Sequence, residues 1–339
     1  MELPFITLLL LVTTEHAQGD FQCQKDDADI DWALYYKKSS SHDAHVFYAD
    51  TTSAAWEKDT VSLGSTNKEL GGMLYNLSQD LEKNNLIAYS DFPPYARAAI
   101  EYASKARGVF AFNDKEGWLI SHTVDQWPNI YAYKPPNEKD KKAAVILCVS
   151  IKDDAFEHWG EVMDYQDPII YASKGDSLDN YPALKNLINA PTTKTSPYVK
   201  TGEIQSSNPP TLTVRIFSKL PQGRIDIYSN LIALSLKKNL IVWSKPDANN
   251  RLLNSTCSST YKVENVNQAK PIKLGTESIS RKDDSSTWAI SKAPKLFCMG
   301  NADRTEADKS VGAGVLCFEN ENVHTIFKKI ANSAGRQSC

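Results

Sequence analysis

Residues 143–149 read Ala-Ala-Val-Ile-Leu-Cys-Val, an apolar run with no alternation. A strand with one face in water alternates apolar and polar side chains. A continuous run needs cover on both faces. The chain must therefore build a sheet with packed layers on either side. Shorter β-rich runs at 32–36, 86–89, 109–112 and 118–121 supply candidate neighbours.

Helical stretches separate these runs. Thr66-Asn67-Lys68-Glu69 has the form of a capping box, with Leu70, Met73, Leu74, Leu77 and Leu81 following at helical spacing. A second helix is expected over 226–238, followed by a strand at 240–243. Residues 191–210 are rich in Thr, Ser, Lys and Pro and read as a linker or surface loop, and 134–142 reads as a solvated loop. Mixed α/β elements on both sides of that loop suggest a pseudo-duplicated α/β architecture.

The N-terminus predicts export. Residues 3–12 are mostly apolar around Leu8-Leu9-Leu10-Leu11, too short to span a bilayer, and small residues follow at Ala17 and Gly19. Residues 1–19 are therefore expected to be a signal peptide, although the n-region lacks Lys or Arg. No later segment is apolar enough for a transmembrane helix. Six cysteines remain after cleavage, an even number that suggests three disulfides in an exported chain, and spacing alone leaves 15 pairings open. Sequons at Asn76 and Asn254 fit a secreted, extracellular glycoprotein. The formal net charge of −3 becomes −1 once Glu2 and Glu15 leave with the signal peptide. Nothing in bulk advertises nucleic-acid binding, so any anion site must be local.

Specific strings go further than patterns. Asp31-Trp32 is followed by Tyr36-Lys37, Tyr89 by Asp91 and Pro93-Pro94, and Gly108-Val109 by Trp118 and Ser121-His122. Leu147-Cys148-Val149-Ser150 closes the first half. The second half carries Phe217-Ser218-Lys219, Asp226 with Tyr228-Ser229, the stretch from Asn254 to Cys257, and Asn265-Val266-Asn267-Gln268. Cys298-Met299-Gly300, Arg304 and Gly314-Val315-Leu316-Cys317 follow. In this order and spacing the strings resemble deoxyribonuclease II, the acid endonuclease branch of the phospholipase D-like superfamily, and in particular its divergent secreted members of the parasitic-nematode type.

The resemblance implies two phospholipase D-like halves, at 20–190 and 211–339, each a mixed β-sheet flanked by helices, with a cleft between them. It implies the pairs Cys23 with Cys148, Cys257 with Cys339, and Cys298 with Cys317. The first two would close long loops, worth roughly 4–5 kcal/mol each on a loop-entropy scale, and the last roughly 3 kcal/mol. It also implies a chemistry without metal or cofactor. Each half supplies one His-x-Lys; one histidine attacks phosphorus, the other protonates the leaving oxygen, and the lysines neutralise phosphate.

Here both motifs are replaced. The first position holds Lys105-Ala106-Arg107 and the second Ser285-Ser286-Thr287, so Lys105, Arg107, Ser285 and Thr287 stand where the reacting groups belong. A family acid after the first motif is replaced by Asn113, with Asp114 as a candidate substitute. Of the six histidines, none is followed two residues later by Lys, so no displaced motif exists. His122 is the surviving candidate; His42, His45, His158 and His324 read as surface residues. A lysine is protonated near neutral pH and is a poor nucleophile unless its pKa is strongly depressed. Lys105 and Arg107 keep positive charge where phosphate would sit, which suggests an anion site. No G-x-S-x-G, H-E-x-x-H, Walker A or G-x-G-x-x-G string is present, so those chemistries have no support. The expectation is a catalytically inactive extracellular binding protein. Its candidate partners are a protein or matrix component, or DNA or a sulfated glycan at the degenerate cleft. The alternative is a metal-independent acid endodeoxyribonuclease with altered catalytic residues.

Overall fold

The structure, a computed structural model, describes residues 21–26, 28–136, 142–189, 194–249 and 251–339. The expected signal peptide lies outside the described residues. A short hairpin, β1 (Cys23–Lys25) and β2 (Ala28–Ile30), opens the fold. There follow β3 (Trp32–Lys37), β4 (Asp43–Tyr48), β5 (Lys58–Ser62), helix α1 (Glu69–Gln79), β6 (Asn85–Tyr89), β7 (Gly108–Phe112) and β8 (Glu116–His122). Then come β9 (Ala144–Lys152), α2 (Phe156–Met163), β10 (Ile170–Lys174) and α3 (Pro182–Asn189). The second part comprises β11 (Val199–Gln205), β12 (Thr213–Lys219), α4 (Ala233–Leu236), β13 (Leu240–Trp243) and β14 (Val263–Val266). It closes with the hairpin β15 (Ile272–Leu274) and β16 (Glu277–Ile279), then β17 (Thr287–Ser291), β18 (Leu296–Gly300), β19 (Ala313–Glu319), α5 (Glu321–Ala334) and β20 (Arg336–Gln337).

Two eight-stranded sheets result, in the orders β10-β6-β7-β8-β9-β3-β4-β5 and β11-β12-β19-β18-β17-β13-β14-β20. Neighbours in the first are antiparallel throughout; the second contains one parallel pair, β13 with β14. The sheets pack face to face, with α2 and α5 contributing to the layer between them. Alternation along each strand assigns side chains to that shared core or to the outside. Trp32, Leu34 and Tyr36 of β3 point inward, as do Trp288 and Ile290 of β17, and they join Trp159 and Phe327 from the helices. Trp32 meets Phe318 at 5.5 Å between ring centroids, and Tyr36 stacks on Phe327 at 5.9 Å. The outer face of the first sheet is covered by Leu70, Met73, Leu74 and Leu77 of α1. The outer face of the second is covered by the turn and helix at 228–236, through Tyr228, Ile232 and Ala233.

The 143–149 run now has its physical reason. Strand β9 sits between β8 and β3. Its Val145, Leu147 and Val149 enter the inter-sheet core while Ala144, Ile146 and Cys148 enter the outer one. Layers on both faces, rather than parallel strands, remove the polar alternation. The three disulfides are those the family resemblance implied: Cys23–Cys148, Cys257–Cys339 and Cys298–Cys317.

Three local expectations are corrected. Helix α1 begins at Glu69 with no side-chain cap bond, so the capping box does not form. The buried Glu69 carboxylate instead accepts from Tyr48 Oη at 2.6 Å and Lys58 Nζ at 2.9 Å, tertiary partners that outcompete a local cap. The expected 226–238 helix is a π-helical turn (Tyr228–Ile232) running into the short α4. Within the expected loop at 191–210, Val199–Gln205 is a strand paired along its whole length with β12. It is an edge strand burying little beyond Ile204, so its composition stays polar.

One buried carboxylate ties the halves together. Asp284, fully buried, accepts from Tyr36 Oη of the first half and Trp243 Nε1 of the second, both at 2.8 Å. The Ser286 amide donates to its other oxygen at 2.8 Å. Tyr36→Phe removes one of these donors from a charge that water cannot reach. The expected cost is about 1–3 kcal/mol of unfolding free energy, read by urea titration; an unchanged midpoint would remove the pair from the account.

Candidate functional site

The two replaced motif segments meet at the seam between the halves. Each is extended, so residues two apart face the same way. In Lys105-Ala106-Arg107 the middle Ala106 is buried in the inter-sheet core, leaving Lys105 and Arg107 to line a cleft of about 250 Å³. In Ser285-Ser286-Thr287 the middle Ser286 turns inward, 2.9 Å from Tyr36 Oη, and Ser285 lines the same cleft. Each segment is also stitched to the opposite half by its backbone. The Lys105 amide donates to the Gly312 carbonyl at 2.9 Å, and the Ser285 amide to the Ala143 carbonyl at 2.8 Å. The structure therefore brings Lys105, Arg107 and Ser285 to one cleft, where the resemblance implied the two motifs would meet.

Thr287 turns its hydroxyl to Asp303 at 2.7 Å. The same Asp303 oxygen also receives Ser244 Oγ at 3.2 Å and the Lys245 amide at 2.6 Å. Ser285 Oγ donates to the Ala143 carbonyl at 2.9 Å, which commits its proton.

On the first-half wall the charges alternate. Asp91, 1% exposed, takes Lys105 Nζ on one oxygen at 3.2 Å and Arg107 Nε on the other at 2.5 Å. Arg107 also donates to Asp125 at 2.6 Å and to the Thr123 carbonyl at 3.2 Å, and Lys142 reaches the second Asp125 oxygen at 2.7 Å. Burial opposes ionisation of Asp125, but the Arg107 and Lys142 charges win and hold it down at about 2. Burial likewise works against the Arg107 charge, and Asp91 with Asp125 more than restores it. The result is a fixed row, Lys105–Asp91–Arg107–Asp125–Lys142, in which each cation already has a carboxylate.

His122 does not join this row. It shares the parity of Trp118 and Ile120 on β8, whose side chains fill the outer core, and it stands edge-on to Trp127 at 5.0 Å. The surviving candidate is thus a buried structural residue behind Arg107, and it does not line the cleft. Nor do the other described histidines. His45 and His324 are buried rather than on the surface: His45 Nδ1 lies 3.2 Å from Asp59, and His324 Nε2 lies 2.8 Å from the Ser291 carbonyl. His158 pairs loosely with Glu161 at 3.8 Å. Asp114 cannot replace the family acid at the cleft. It sits in the turn after β7, at the strand end remote from Arg107, and accepts from Ser177 Oγ at 2.7 Å.

Sequence reasoning missed the carboxylates and two of the cations. Asp91 is visible in the string that carries the resemblance, but its pairing with Lys105 and Arg107 is not. Asp125 and Lys142 sit at opposite ends of the connection between β8 and β9, Lys245 follows β13 and Asp303 follows β18, so three loops converge and no local spacing links them.

A sequence profile of Deoxyribonuclease II matches residues 22–337. The chain belongs to the deoxyribonuclease II family. Similar relatives include Plancitoxin-1 of Acanthaster planci, 25% identical over 95% of this chain and 94% of the relative. Cell-death-related nuclease 7 of Caenorhabditis elegans is 25% identical over 96% and 90%, and Deoxyribonuclease-2-beta of Mus musculus 24% over 92% and 91%. Segments 105–107 and 285–287 lie together at the seam of the two halves, and among the described residues no histidine lines the cleft they share.

The buried His122 makes a pH prediction. Burial first, then the Arg107 charge, pushes its pKa down to about 3. The unfolded chain takes up a proton near pH 6.5, while the folded protein resists until about 3, so this group's stability is present above 6.5 and lost as pH falls through that window. Relative to His122→Gln, the native protein should lose roughly 2 kcal/mol more between about pH 6 and pH 4.5, at about 1.4 kcal/mol per unit. Denaturant titrations at each pH measure this; parallel profiles for the two proteins would contradict it.

Proposed function

We propose that this protein is a secreted, N-glycosylated member of the deoxyribonuclease II family that does not cleave nucleic acid and acts as an extracellular binding protein. The observation that carries this reading is the chemistry of the cleft. Phosphoryl transfer through a phosphohistidine needs an imidazole as nucleophile and another as proton donor. Among the described residues no histidine lines the cleft. Lys105 Nζ is ion-paired with Asp91 at 3.2 Å. Ser285 donates its hydroxyl hydrogen bond to the Ala143 carbonyl rather than to a base. Loss of proton transfer alone is worth 10²–10⁴ in rate, and loss of the nucleophile adds to that.

Export is supported by the leader-like N-terminus, by the three disulfides and by the exposure of both sequon asparagines, Asn76 and Asn254. Among the described residues no helix is long and apolar enough to cross a membrane. The relatives named as nucleases make DNA the first polyanion to test as a ligand rather than a substrate, with sulfated glycans beside it. The test of inactivity is relaxation of supercoiled plasmid at pH 5 and pH 7.5 in chelator, beside a Lys105→Ala/Ser285→Ala variant purified identically. The reading expects no nicking above the variant's background. Nicking that the variant loses would establish an active acid endonuclease with altered residues.

A further inference from the structure

Among the described residues the charges lining the cleft do not balance, and the imbalance has an address. Four cations line it, Lys105, Arg107, Lys142 and Lys245, against three carboxylates, Asp91, Asp125 and Asp303. Lys105, Arg107 and Lys142 are each ion-paired. Lys245 is half-buried, and its ammonium makes no hydrogen bond or ion pair among the described residues; only its backbone amide is engaged, by Asp303. Asp303 accepts on one oxygen from three neutral donors, Ser244, Thr287 and that amide. Burial and the neighbouring Lys142 weigh against the Lys245 ammonium, and Asp303 and Asp125 favour it only at a distance.

A half-buried cation without a counter-ion is costly, and an incoming anion relieves that cost. Phe92 and Ala99 contribute apolar surface to the same lining. A volume of about 250 Å³ accepts a small molecule. We infer that Lys245 is the anion-binding residue of the cleft, and that its ligand is a phosphate or sulfate monoester of small-molecule size whose organic group lies against Phe92. Lys105 and Arg107 then act as structural counter-ions of Asp91 rather than as ligands.

This inference rests on the reading of the cleft as non-cleaving, and one experiment separates the two. Phenyl phosphate and phenyl sulfate are titrated calorimetrically into the intact protein, beside inorganic phosphate, and phenol release is followed in the same samples. Saturable binding is expected for the phenyl esters, weaker binding for inorganic phosphate, and no phenol. Lys245→Gln should weaken binding tenfold or more, while Lys328→Gln, an exposed charge on α5, should change it less than twofold. In the unsubstituted protein, bound phenyl phosphate should protect Lys245 from acylation, read by peptide mass spectrometry, and leave Lys328 unprotected. No saturable binding, binding indifferent to Lys245→Gln, or Lys245 unprotected under saturation would each overturn the inference while leaving the non-cleaving reading intact. Binding at Lys245 with phenol released would sustain this assignment and refute that reading.

Discussion

The fold depends on a single buried carboxylate. Asp284 lies at the seam of the two sheets, fully removed from water, and is stabilised by Tyr36 and Trp243 from opposite halves. A buried charge is tolerated only with its hydrogen bonds complete, and removing one partner is expensive because the other cannot turn to solvent. That requirement fixes more than stability. Asp284 immediately precedes Ser285-Ser286-Thr287, so anchoring it sets which residues of that segment face inward and which face the cleft. The backbone bridge from Ser285 to Ala143 and that from Lys105 to Gly312 complete the clamp. The geometry of the cleft follows from contacts that touch none of its reactive positions.

That separation explains how both motifs can be lost without loss of the fold. The scaffold holds the motif segments through backbone bonds and through Ala106 and Ser286, the inward-facing middle residues. The outward positions can then vary if their charges are matched. Lys105 and Arg107 meet that condition through Asp91, and Arg107 and Lys142 through Asp125. An ion pair in such a setting is weak evidence of net stabilisation, because desolvation offsets much of its attraction. Its effect is to occupy the cations. A guanidinium with two carboxylates on it cannot present its fork to a phosphate at the same time.

Much of this was legible in the sequence, for physical reasons that differ by element. The 143–149 run announced a strand covered on both faces because burial on both sides removes alternation, and β9 is that strand. The resemblance could propose the 105–107 and 285–287 positions because the strings beside them are strand residues with fixed partners. The disulfide pairing came through the resemblance, since spacing leaves the pairings open. What could not be read was set by contacts between distant segments. Glu69 abandons its helix for Tyr48 and Lys58, 21 and 11 residues away. Val199–Gln205 is a strand because β12 offers an edge, not because its own residues are apolar. The charge row from Lys105 to Lys142 joins the β6–β7 and β8–β9 loops through residues up to 51 positions apart, and His122 looked functional only until its side of β8 was known.

The proposed inactivity of the cleft traces to four side chains, Lys105, Arg107, Ser285 and Thr287. It is tested most directly by the metal-independent nicking rate of the variant Lys105→His/Arg107→Lys/Ser285→His/Thr287→Lys against the native protein at pH 5. The account predicts activity at least 10²-fold above native, since the nucleophile and the proton donor return to segments that meet at one cleft. A folded variant as inert as the native protein, or a native protein that already cuts, would contradict it.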